Sequence, residues 1–516
     1  MTLASVRSPP SGSFRFVERI AGRIRTGIGV AHPSRSSYLR RVLMSKPGAS
    51  VEASRRAEEV RLGGKLAGLS LRRQVFVLAL WPLLEQVLAF FVGLTDLLIS
   101  GRMAEGADRV AILDAMGLGG YVGWFFNILQ GAVATGVMAL VSRAIGARDQ
   151  PLADRGLGQG LWLGVIAGFG SFVLLQAGIK LLIHWVGLSP AAAVQADVYL
   201  RVLSYSGPFS GAMFAINAAL RGSGDTRTPF YAMIVVNLVN MAASWTLVFG
   251  PAPWGGRGVD GIALGTVIGW VAGLLTVAVL LAMRSDGGLR WTRHGLTPHR
   301  ETMKRIVRVG APQSLEVAGM WFIHAYGIRV IAGLPEKGSL GAHILAIRVE
   351  SMSFLPGFAI ATAAAALAGQ YLGAGSKEMA VRAVRASWKS AVILMTAMGF
   401  LFVFGREWLI GWMAPGSELH LRLAAPLLLI CALTQPFFAT CIVLKTSMRG
   451  AGATHTVMRW SFGSMFFYRI FGLWALSHTP WNSLTGVWIV LSIDLLTQAI
   501  VFSRLHFRGK WLDARV

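Results

Sequence analysis

The chain has 516 residues, of which 54% are hydrophobic and only 14% are charged, whereas soluble domains carry about 25% charged residues. Its formal net charge is nevertheless +25. A surface with so few charges excludes an ordinary soluble globular protein, because much of it must face an apolar environment.

Residues 1–73 differ from the rest of the chain, because they are rich in arginine and serine and poor in acids. We expect a disordered cytoplasmic tail here. An organelle transit peptide, which has the same composition, stays open as an alternative. So does an upstream translation start that precedes Met44. A secretory signal peptide is not expected, because the segment lacks its apolar core.

From residue 74 onward, long segments with few charges follow one another. Two of them, 116–142 and 230–250, contain no charged residue at all. An uncharged run of 18 or more residues can cross a bilayer as a helix. One such run could be a buried helix of a soluble protein, but this explanation fails for a long series of them. The sequence predicts twelve spans, at 74–101, 115–142, 156–186, 193–220, 229–250, 259–283, 306–334, 339–371, 386–413, 419–444, 456–478 and 482–505.

Lysine and arginine are concentrated on one side of the predicted membrane. The segment before the first span, the loops after the even-numbered spans and the carboxy-terminal segment together hold 38 of the 49 basic residues. Because basic residues accumulate in cytoplasmic loops, this distribution predicts an even number of spans with both termini in the cytoplasm. No folded basic domain remains that could bind nucleic acid.

A short pattern, R-G-x-G-x-T, occurs twice, from Arg221 and from Arg449. Other landmarks recur at nearly the same interval, namely Gly146 and Gly373, Gly258 and Gly486, and Pro82 and Pro312. This shared interval predicts an internal duplication whose unit is six spans. A unit with an even number of spans re-enters the membrane from the same side, so the copies are parallel and related by a pseudo-two-fold axis along the membrane normal.

The duplication predicts an all-α polytopic membrane protein with two six-helix lobes and a cleft between them. The predicted parts are a tail (1–73), an amino-terminal lobe (74–283), a cytoplasmic linker (284–305), a carboxy-terminal lobe (306–505) and a second cytoplasmic tail (506–516). Such an architecture favours transport by alternating access.

The repeated pattern itself is expected in the short loop after the fourth span of each lobe. Its arginines, Arg221 and Arg449, would lie near the cytoplasmic headgroups. Its glycines would permit a tight turn; they are Gly222, Gly224, Gly450 and Gly452. We interpret the pattern as a structural turn with a topology anchor, and a direct role in substrate handling stays open.

Five segments, taken in order, resemble the multidrug and toxic compound extrusion (MATE) family. They are TDLLISGRM (95–103), LRGSGDTRTP (220–229), GVDGIALGT (258–266), AGQYLGAG (368–375) and MRGAGATHT (448–456). The resemblance covers about 74–510 and is closer to the bacterial DinF-like and NorM-like branches than to the plant branch. It implies twelve helices in two lobes, and export of organic, often cationic, compounds driven by inward Na⁺ or H⁺.

Ionisable groups inside a bilayer are costly and are therefore candidates for function. At 1.5 Å per residue, Asp96, Ser244 and Thr266 reach a similar depth, roughly 10 Å below the outer surface. Asn240 is one turn deeper, on the same helix face as Ser244. One carboxylate with amide and hydroxyl oxygens suits Na⁺ or a carried proton, although hydrogen bonds between helices would use the same residues without an ion.

The resemblance implies that these four positions form the cation site of the amino-terminal lobe. The family pattern has an Asp on the first helix, an Asn on the fifth, an Asp one turn later and a Thr on the sixth. Here Ser244 replaces the second Asp, so one carboxylate remains where the fuller pattern has two. H⁺ and Na⁺ both stay open as the coupling ion. We expect H⁺, because an isolated carboxylate in a low-dielectric site is penalised when it is charged.

Glu85 and Glu316 recur at matching depth in the two lobes, each shortly after a proline. Such a pair could face the cleft and attract a cationic substrate, and the resemblance supports an acid on the seventh helix, at Glu316. NorM-like proteins have an acid on the tenth helix, where this chain offers only the amide of Gln435. Pro82 and Pro312 are candidate kink points, because the family bends its first helix during transport; a static kink is the alternative.

Two further acids lie inside predicted spans. A structural ion pair would explain each of them, between Asp494 and Arg469 or between Glu350 and Arg329. Cys431 and Cys441 fall in one span, where they cannot ligate zinc on their own and indicate no disulfide.

Three functions fit a chain of this kind to different degrees. A multidrug antiporter fits best. A lipid-linked oligosaccharide flippase of the same superfamily should have a basic cavity, against which Glu85, Asp96 and Glu316 argue. A membrane enzyme such as a prenyltransferase would need a D-D-x-x-D motif or a histidine constellation, and neither occurs. The sequence has no Walker motif, so ATP hydrolysis is not the expected drive.

We therefore predict a secondary active exporter that is not an enzyme. It needs no cofactor besides the coupling ion, H⁺ or Na⁺. Its expected partners are the lipid bilayer and a small organic substrate, without nucleic acid, and it should act as a monomer. We expect it in the plasma (inner) membrane, or in an organelle membrane if residues 1–70 are a transit peptide.

Overall fold

The computed structural model describes residues 62–63, 66–103, 105–284, 287–414, 416–514 and 516. The expectations for the amino-terminal tail fall almost entirely on residues 1–61, which lie outside the described residues. Within the described part the secondary structure is helical, and it contains no β-strand.

Twelve helices, or interrupted helices, correspond to the twelve predicted spans. They are α1 (Leu71–Ser100), α2 (Gly106–Gly146), α3 (Gln150–Val186), α4 (Pro190–Ser204 and Ser206–Ser223), α5 (Arg227–Phe249), α6 (Gly258–Ala282), α7 (Arg300–Ala332), α8 (Ser339–Gly373), α9 (Lys377–Met413), α10 (Glu418–Gly450), α11 (Thr454–Met465, the π-helical Phe466–Gly472 and Leu473–Leu476) and α12 (Leu484–Arg508). Ten helices in the described residues are long and apolar enough to cross a membrane. The two spans outside this set are the interrupted helices α4 and α11. A short helix, Arg293–Leu296, lies in the predicted linker.

The loops that follow α2 and α8 show the duplication in their backbone geometry. Arg148 has a φ of +59° and Gly375 has a φ of +79°, so each loop contains one residue in the left-handed region. The next residue caps the following helix in both loops. Asp149 accepts a hydrogen bond from the amide of Leu152, and Ser376 accepts one from the amide of Met379. Capping residues of these types satisfy amides that a helix leaves free, so both loops start a new helix in the same way.

The R-G-x-G-x-T pattern was predicted to lie in a loop. In the structure, each copy begins in the last turns of a helix. Arg221 and Gly222 lie in the last turns of α4, and Arg449 and Gly450 lie in the last turns of α10. Only the later glycines form the turn, since Gly224 has a φ of +93° and Gly452 a φ of +91°.

The earlier glycine of each pattern permits a close helix crossing. A side chain on Gly222 would overlap with the carbonyl oxygen of Met138, and one on Gly450 would overlap with that of Ala365. Met138 and Ala365 are separated by nearly the same interval as the two glycines. The crossing of α4 over α2 is therefore repeated as the crossing of α10 over α8.

The same reciprocity holds where the two halves touch. Gly146 on α2 lies against the carbonyl of Gln370 on α8, while Gly373 on α8 lies against the carbonyl of Arg143 on α2. Each contact becomes the other when the halves are exchanged, as a two-fold axis requires. The two parallel six-helix repeats predicted from the sequence are thus confirmed.

Hydrogen bonds also join the halves at this place. Arg143 donates to the carbonyl of Ala451 at 2.8 Å, Gln370 donates to the carbonyl of Gly222 at 2.8 Å, and the hydroxyl of Tyr371 lies 3.0 Å from the side-chain oxygen of Gln74. We call this end of the bundle, which carries the loops 147–149, 224–226, 374–376 and 451–453, the basic end. The halves are closed against each other there.

Both predicted kink points lie inside helices. Pro82 is in α1 and Pro312 is in α7, and each helix continues past its proline. Whether either position bends during transport stays a prediction.

Candidate functional site

The structure brings Asp96, Asn240, Ser244 and Thr266 together between α1, α5 and α6. None of the four is more than 5% exposed. The hydroxyl of Thr266 donates to Asp96 Oδ2 at 2.9 Å, and the amide of Asn240 donates to Asp96 Oδ1 at 3.3 Å. Asn240 Nδ2 is also 3.1 Å from Thr266 Oγ1 and 3.4 Å from Ser244 Oγ. The predicted cluster therefore exists as a set of neighbouring polar side chains.

Small residues on α6 allow the approach of α5 that forms this cluster. A side chain at Gly265 would overlap with Ser244, and one at Gly269 would press on the Cβ of Asn240 and the carbonyl of Val236. The two backbones can therefore approach closely, as small residues permit in membrane helix packing. Larger residues at either glycine would move Asn240 and Ser244 away from Asp96.

Asp96 forms no ion pair with any residue that the structure describes. Its side-chain partners there are Thr266 and Asn240, and both donate hydrogen bonds to it. A buried carboxylate without a cationic partner is costly when charged. Asn240 Oδ1 is also buried and has no hydrogen-bond partner in the described part. The cluster can thus accept a hard cation through its oxygens, or a proton on Asp96.

Glu85 and Glu316 lie elsewhere, and each is paired with the arginine of the repeated pattern in its own half. Arg221 Nη2 is 2.9 Å from Glu85 Oε1, and Arg449 Nη2 is 2.8 Å from Glu316 Oε1. The exposed fraction is 7% for Glu85 and 3% for Glu316. Both pairs join the first helix of a half to its fourth.

These pairs differ from what the sequence suggested for either partner. The arginines were expected near the headgroups as topology anchors, and an ion pair with a buried acid was not predicted for them. The acids were expected to face the cleft, yet each is buried with a positive charge beside it. Lys445 Nζ adds a second one at 3.6 Å from Glu316. A role for these acids in substrate choice stays a prediction.

Asn217 also belongs to the amino-terminal pair and was not predicted. Its amide is 3.5 Å from Glu85 Oε1, and it precedes Arg221 by four residues on α4. This spacing places both side chains on one helix face. The sequence shows this spacing of four residues, but it indicates a shared face only if both residues lie in the helix. In the structure they do, because α4 extends to Ser223.

Gln435 lies on α10 and is fully buried against α8. Its side-chain oxygen accepts a hydrogen bond from Ser353 at 2.5 Å, and its amide nitrogen has no partner among the residues described. A substrate role for Gln435 stays a prediction.

The two remaining acids differ in how well their predicted partners fit. Asp494 is paired with Arg469 at 2.7 Å, as the structural interpretation suggested. For Glu350, no ion pair with Arg329 occurs among the described residues, and the basic residue that acts on its carboxylate electrostatically is Arg469. Both cysteines are buried and free.

Two parallel halves with buried charged groups, closed against each other at one end, define a two-lobed helical membrane transporter. The MatE family model matches the chain twice, over residues 83–246 and 312–474, once in each half. This chain belongs to the MatE family, whose members are transporters and not enzymes. The predicted family and the twelve-helix, two-lobed fold are thereby confirmed.

The chain is similar to several known proteins along most of its length. The probable multidrug resistance protein NorM of Thermotoga maritima is 25% identical over 445 residues, which are 86% of this chain and 93% of the relative. A multidrug resistance MATE family transporter of the MOP superfamily, solved in an outward-facing conformation, superposes with a TM-score of 0.78 at 21% identity and covers 87% of this chain and 98% of that one.

A MOP superfamily transporter from Pyrococcus furiosus superposes equally well, with a TM-score of 0.78 at 20% identity and with 87% and 98% of the two chains covered. It is described as having a binding pocket of reverse polarity that suggests a different function. At this level of identity, both solved structures show the fold alone.

Proposed function

We propose that this protein exports organic, often cationic, compounds by alternating access of its two lobes, in exchange for an ion that binds at Asp96. The observation that carries this proposal is the geometry of the Asp96 cluster. A buried carboxylate without an ion-pair partner is destabilised when it is charged, and this favours the uptake of a proton or a cation. The likeness to NorM of Thermotoga maritima supports multidrug compounds as the substrate class.

We favour H⁺ as the exchanged ion. When Asp96 is ionised, Thr266 and Asn240 can both donate to it, as in the structure. When Asp96 is protonated, its hydroxyl needs an acceptor, and a flip of the Asn240 amide would present its buried, unpartnered oxygen in place of the nitrogen that now donates to Asp96. Both protonation states therefore find hydrogen-bond partners without rearrangement of the helices. Na⁺ is the alternative, since the same oxygens could ligate it, but one carboxylate offers it little compensating charge.

A flippase for an anionic, lipid-linked substrate is the second candidate. The sequence argued against it through three acids, of which Glu85 and Glu316 are now seen to be neutralised by Arg221 and Arg449. The argument against a flippase therefore depends on Asp96 alone. The Pyrococcus furiosus transporter of the same fold, described as having a binding pocket of reverse polarity that suggests a different function, supports keeping this candidate.

Transport in proteoliposomes distinguishes these candidates. A panel of cationic dyes and antibiotics would be tested beside a fluorescent anionic lipid, with pH and Na⁺ gradients imposed separately. We expect export of several cations that follows the pH gradient. Movement of the anionic lipid alone would contradict the proposal and favour the flippase.

We further propose that both termini and the linker lie in the cytoplasm, which makes the basic end the cytoplasmic end. Single cysteines at Ser285, in the linker, and at Gly338, before α8, should then be labelled from opposite sides by an impermeant maleimide. The background would be Cys431→Ala/Cys441→Ala, because both native cysteines are free. Labelling of both positions from the same side would refute this topology.

Glu316→Gln should weaken the binding of cationic substrates, because it leaves the charges of Arg449 and Lys445 without a carboxylate. It should also destabilise the fold by about 3–5 kcal/mol, as expected when one partner of a buried ion pair is removed. The double variant Glu316→Gln/Arg449→Gln should recover most of that loss. Substrate affinity and thermal unfolding in detergent measure the two effects.

The pair Glu85–Arg221 provides a matched control in the other half. If single and double losses simply add in both halves, the ion pairs are not energetically coupled. If substrate affinity is unchanged in every variant, these acids have no part in substrate choice.

A further inference from the structure

Helices α11 and α12 are the repeat counterparts of α5 and α6, which carry three of the four residues of the Asp96 cluster. Asp494 on α12 corresponds to Thr266 on α6, because each is the eighth residue after the glycine of the repeated Gly-Val pair at Gly258 and Gly486. Asp494 is fully buried. The carboxy-terminal half therefore places a carboxylate where the amino-terminal half has a hydroxyl.

Helix α11 differs from α5 by its π-helical segment, Phe466–Gly472, whereas α5 is α-helical from Arg227 to Phe249. A π-turn accommodates an extra residue and rotates the rest of the helix. Beyond this turn, the buried positions are Leu473 and Leu476. Leu473 is fully buried, as is Ser244 on α5, and we take the two as counterparts. The interval between them is one residue longer than the interval from Arg221 to Arg449.

With this shift of one residue, Arg469 becomes the counterpart of Asn240. The contacts agree with that assignment. Arg469 Nε donates to Asp494 Oδ2 at 2.7 Å, just as Asn240 Nδ2 donates to Thr266 Oγ1 at 3.1 Å. Without the π-turn, the unshifted repeat interval would align Arg469 with Met241, which is 49% exposed. The π-turn thus directs a guanidinium into the interior.

The other oxygen of Asp494 is also satisfied. The hydroxyl of Ser464 donates to Oδ1 at 2.6 Å, and the amide of Gln498 donates to it at 2.8 Å. The carboxylate thus has neutral donors on one side and a cation on the other. On α7, the position that corresponds to Asp96 by the interval between Pro82 and Pro312 is the uncharged Tyr326.

We propose that the carboxy-terminal half contains a second cation site, with Asp494 as its binding carboxylate, in which the side chain of Arg469 takes the place of an exchangeable cation. The comparison with the amino-terminal half rests on the proposed function of Asp96. Because its cation is covalently attached, the second site cannot exchange ions, and only the amino-terminal half is coupled to the gradient. Removal of the guanidinium should open the site to H⁺ or to a small cation such as Na⁺.

Other ionisable groups face this pair and must be separated from it in any titration. Glu350 on α8 and His324 on α7 interact with Arg469, and Lys445 and Cys441 on α10 interact with Asp494. None of these groups is changed when only Arg469 and Asp494 are varied. A response to pH or Na⁺ that is lost when Asp494 is replaced can therefore be assigned to Asp494.

The test uses three variants of the full chain in an Asp96→Asn background, so that the first site cannot contribute. Arg469→Met removes the attached cation. Arg469→Lys keeps a positive charge. Arg469→Met/Asp494→Asn removes the cation and the carboxylate together. The thermal unfolding midpoint of the purified protein would be measured against pH and against Na⁺, with choline replacing Na⁺.

We expect Arg469→Met alone to gain a stabilisation that rises with the concentration of H⁺ or Na⁺, as binding to the folded state requires. Arg469→Lys and the double variant should respond no more than the Asp96→Asn parent. A folded Arg469→Met that responds like the parent would overturn the proposal, and so would an equal response of the double variant. Transport by Asp96→Asn at the wild-type rate would contradict the proposed function. The stability measurements on the Arg469 variants would still test the second site.

Arg469→Met leaves a buried carboxylate unpaired and could fail to fold. In that event Arg469→Ala would be produced with and without millimolar methylguanidinium, which supplies the missing group as a free cation. Recovery of folded protein that saturates with methylguanidinium and needs Asp494 supports the site. No recovery, while Arg469→Ala/Asp494→Asn folds, overturns it.

Discussion

Asp96→Asn should abolish gradient-driven export and reduce it to the level of liposomes without protein. An asparagine cannot gain or lose a proton and carries no charge for Na⁺, so the cluster with Asn240 and Thr266 stays in one state. The substitution is close to isosteric, and both neighbours keep a hydrogen-bonding side chain beside them. The protein should therefore still insert and bind substrate. Efflux from proteoliposomes under a pH gradient, with substrate binding measured in detergent, checks both parts.

Asp114→Asn is a suitable control, because Asp114 is an exposed acid on α2 and should tolerate the change. Export by Asp96→Asn at the wild-type rate would remove Asp96 from the mechanism. Wild-type export that follows a Na⁺ gradient and ignores pH would leave Asp96 as a Na⁺ ligand and remove only the proton. In that case Ser244→Asp, which restores a second carboxylate, should strengthen the dependence on Na⁺.

Gly146→Ala should open the basic end of the transporter. The added methyl group would overlap with the carbonyl oxygen of Gln370, and a backbone atom cannot move aside as a flexible side chain can. Overpacking of this kind costs about 1–3 kcal/mol, which shifts a two-state equilibrium by a factor of about 5 to 150. We expect export to fall and the distance between spin labels at Gln150 and Lys377, the first residues of α3 and α9, to increase.

The reciprocal variant Gly373→Ala should act in the same way, because Gly373 lies against the carbonyl of Arg143. Gly131→Ala is the matched control, since Gly131 is in the same helix as Gly146 and has open space where its side chain would be. If all three variants resemble the wild type in label distance and in transport, the crossing of α2 and α8 does not control closure.

The Asp96 cluster could be predicted because each of its residues lies well inside a span. An error of a few residues in a helix boundary changes the depth of Asp96 or Thr266 only slightly. Asn240 and Ser244 are also four residues apart on the fifth helix, so their side chains lie on one face. The predicted set therefore did not depend on the exact boundaries of the helices.

The Glu85–Arg221 and Glu316–Arg449 pairs could not be predicted in this way, because they depend on where a helix ends. The fourth span was expected to end at residue 220, but α4 continues to Ser223 and stops at the left-handed Gly224. This extension puts Arg221 in the last turn of the helix, from which its side chain reaches Glu85. A glycine-rich pattern favours a turn, yet Gly222 and Gly450 are needed for close packing.

The π-turn in α11 is also hidden in the sequence. The interval between repeats is the same before it, from Arg221 to Arg449, and after it, from Gly258 to Gly486. An extra residue in the helix is therefore compensated before Gly486, and no comparison of intervals reveals it. The shift is seen only in the structure, in the π-helical segment, in the contact of Arg469 with Asp494 and in the exposure of the residues beyond the turn.

The isolation of Asp96 has an electrical consequence. Arg221, Arg449 and Arg469 are bound to the chain with the acids that they neutralise, so none of these charges is released on either side. If Asp96 carries the exchanged ion, as proposed, the charges that cross the membrane in one cycle are those of the substrate and of that ion. One H⁺ exchanged for one monovalent cation is electroneutral, so such a cycle would not respond to the membrane voltage. A dication would make the same cycle electrogenic, and its export would be opposed by a voltage that is negative inside.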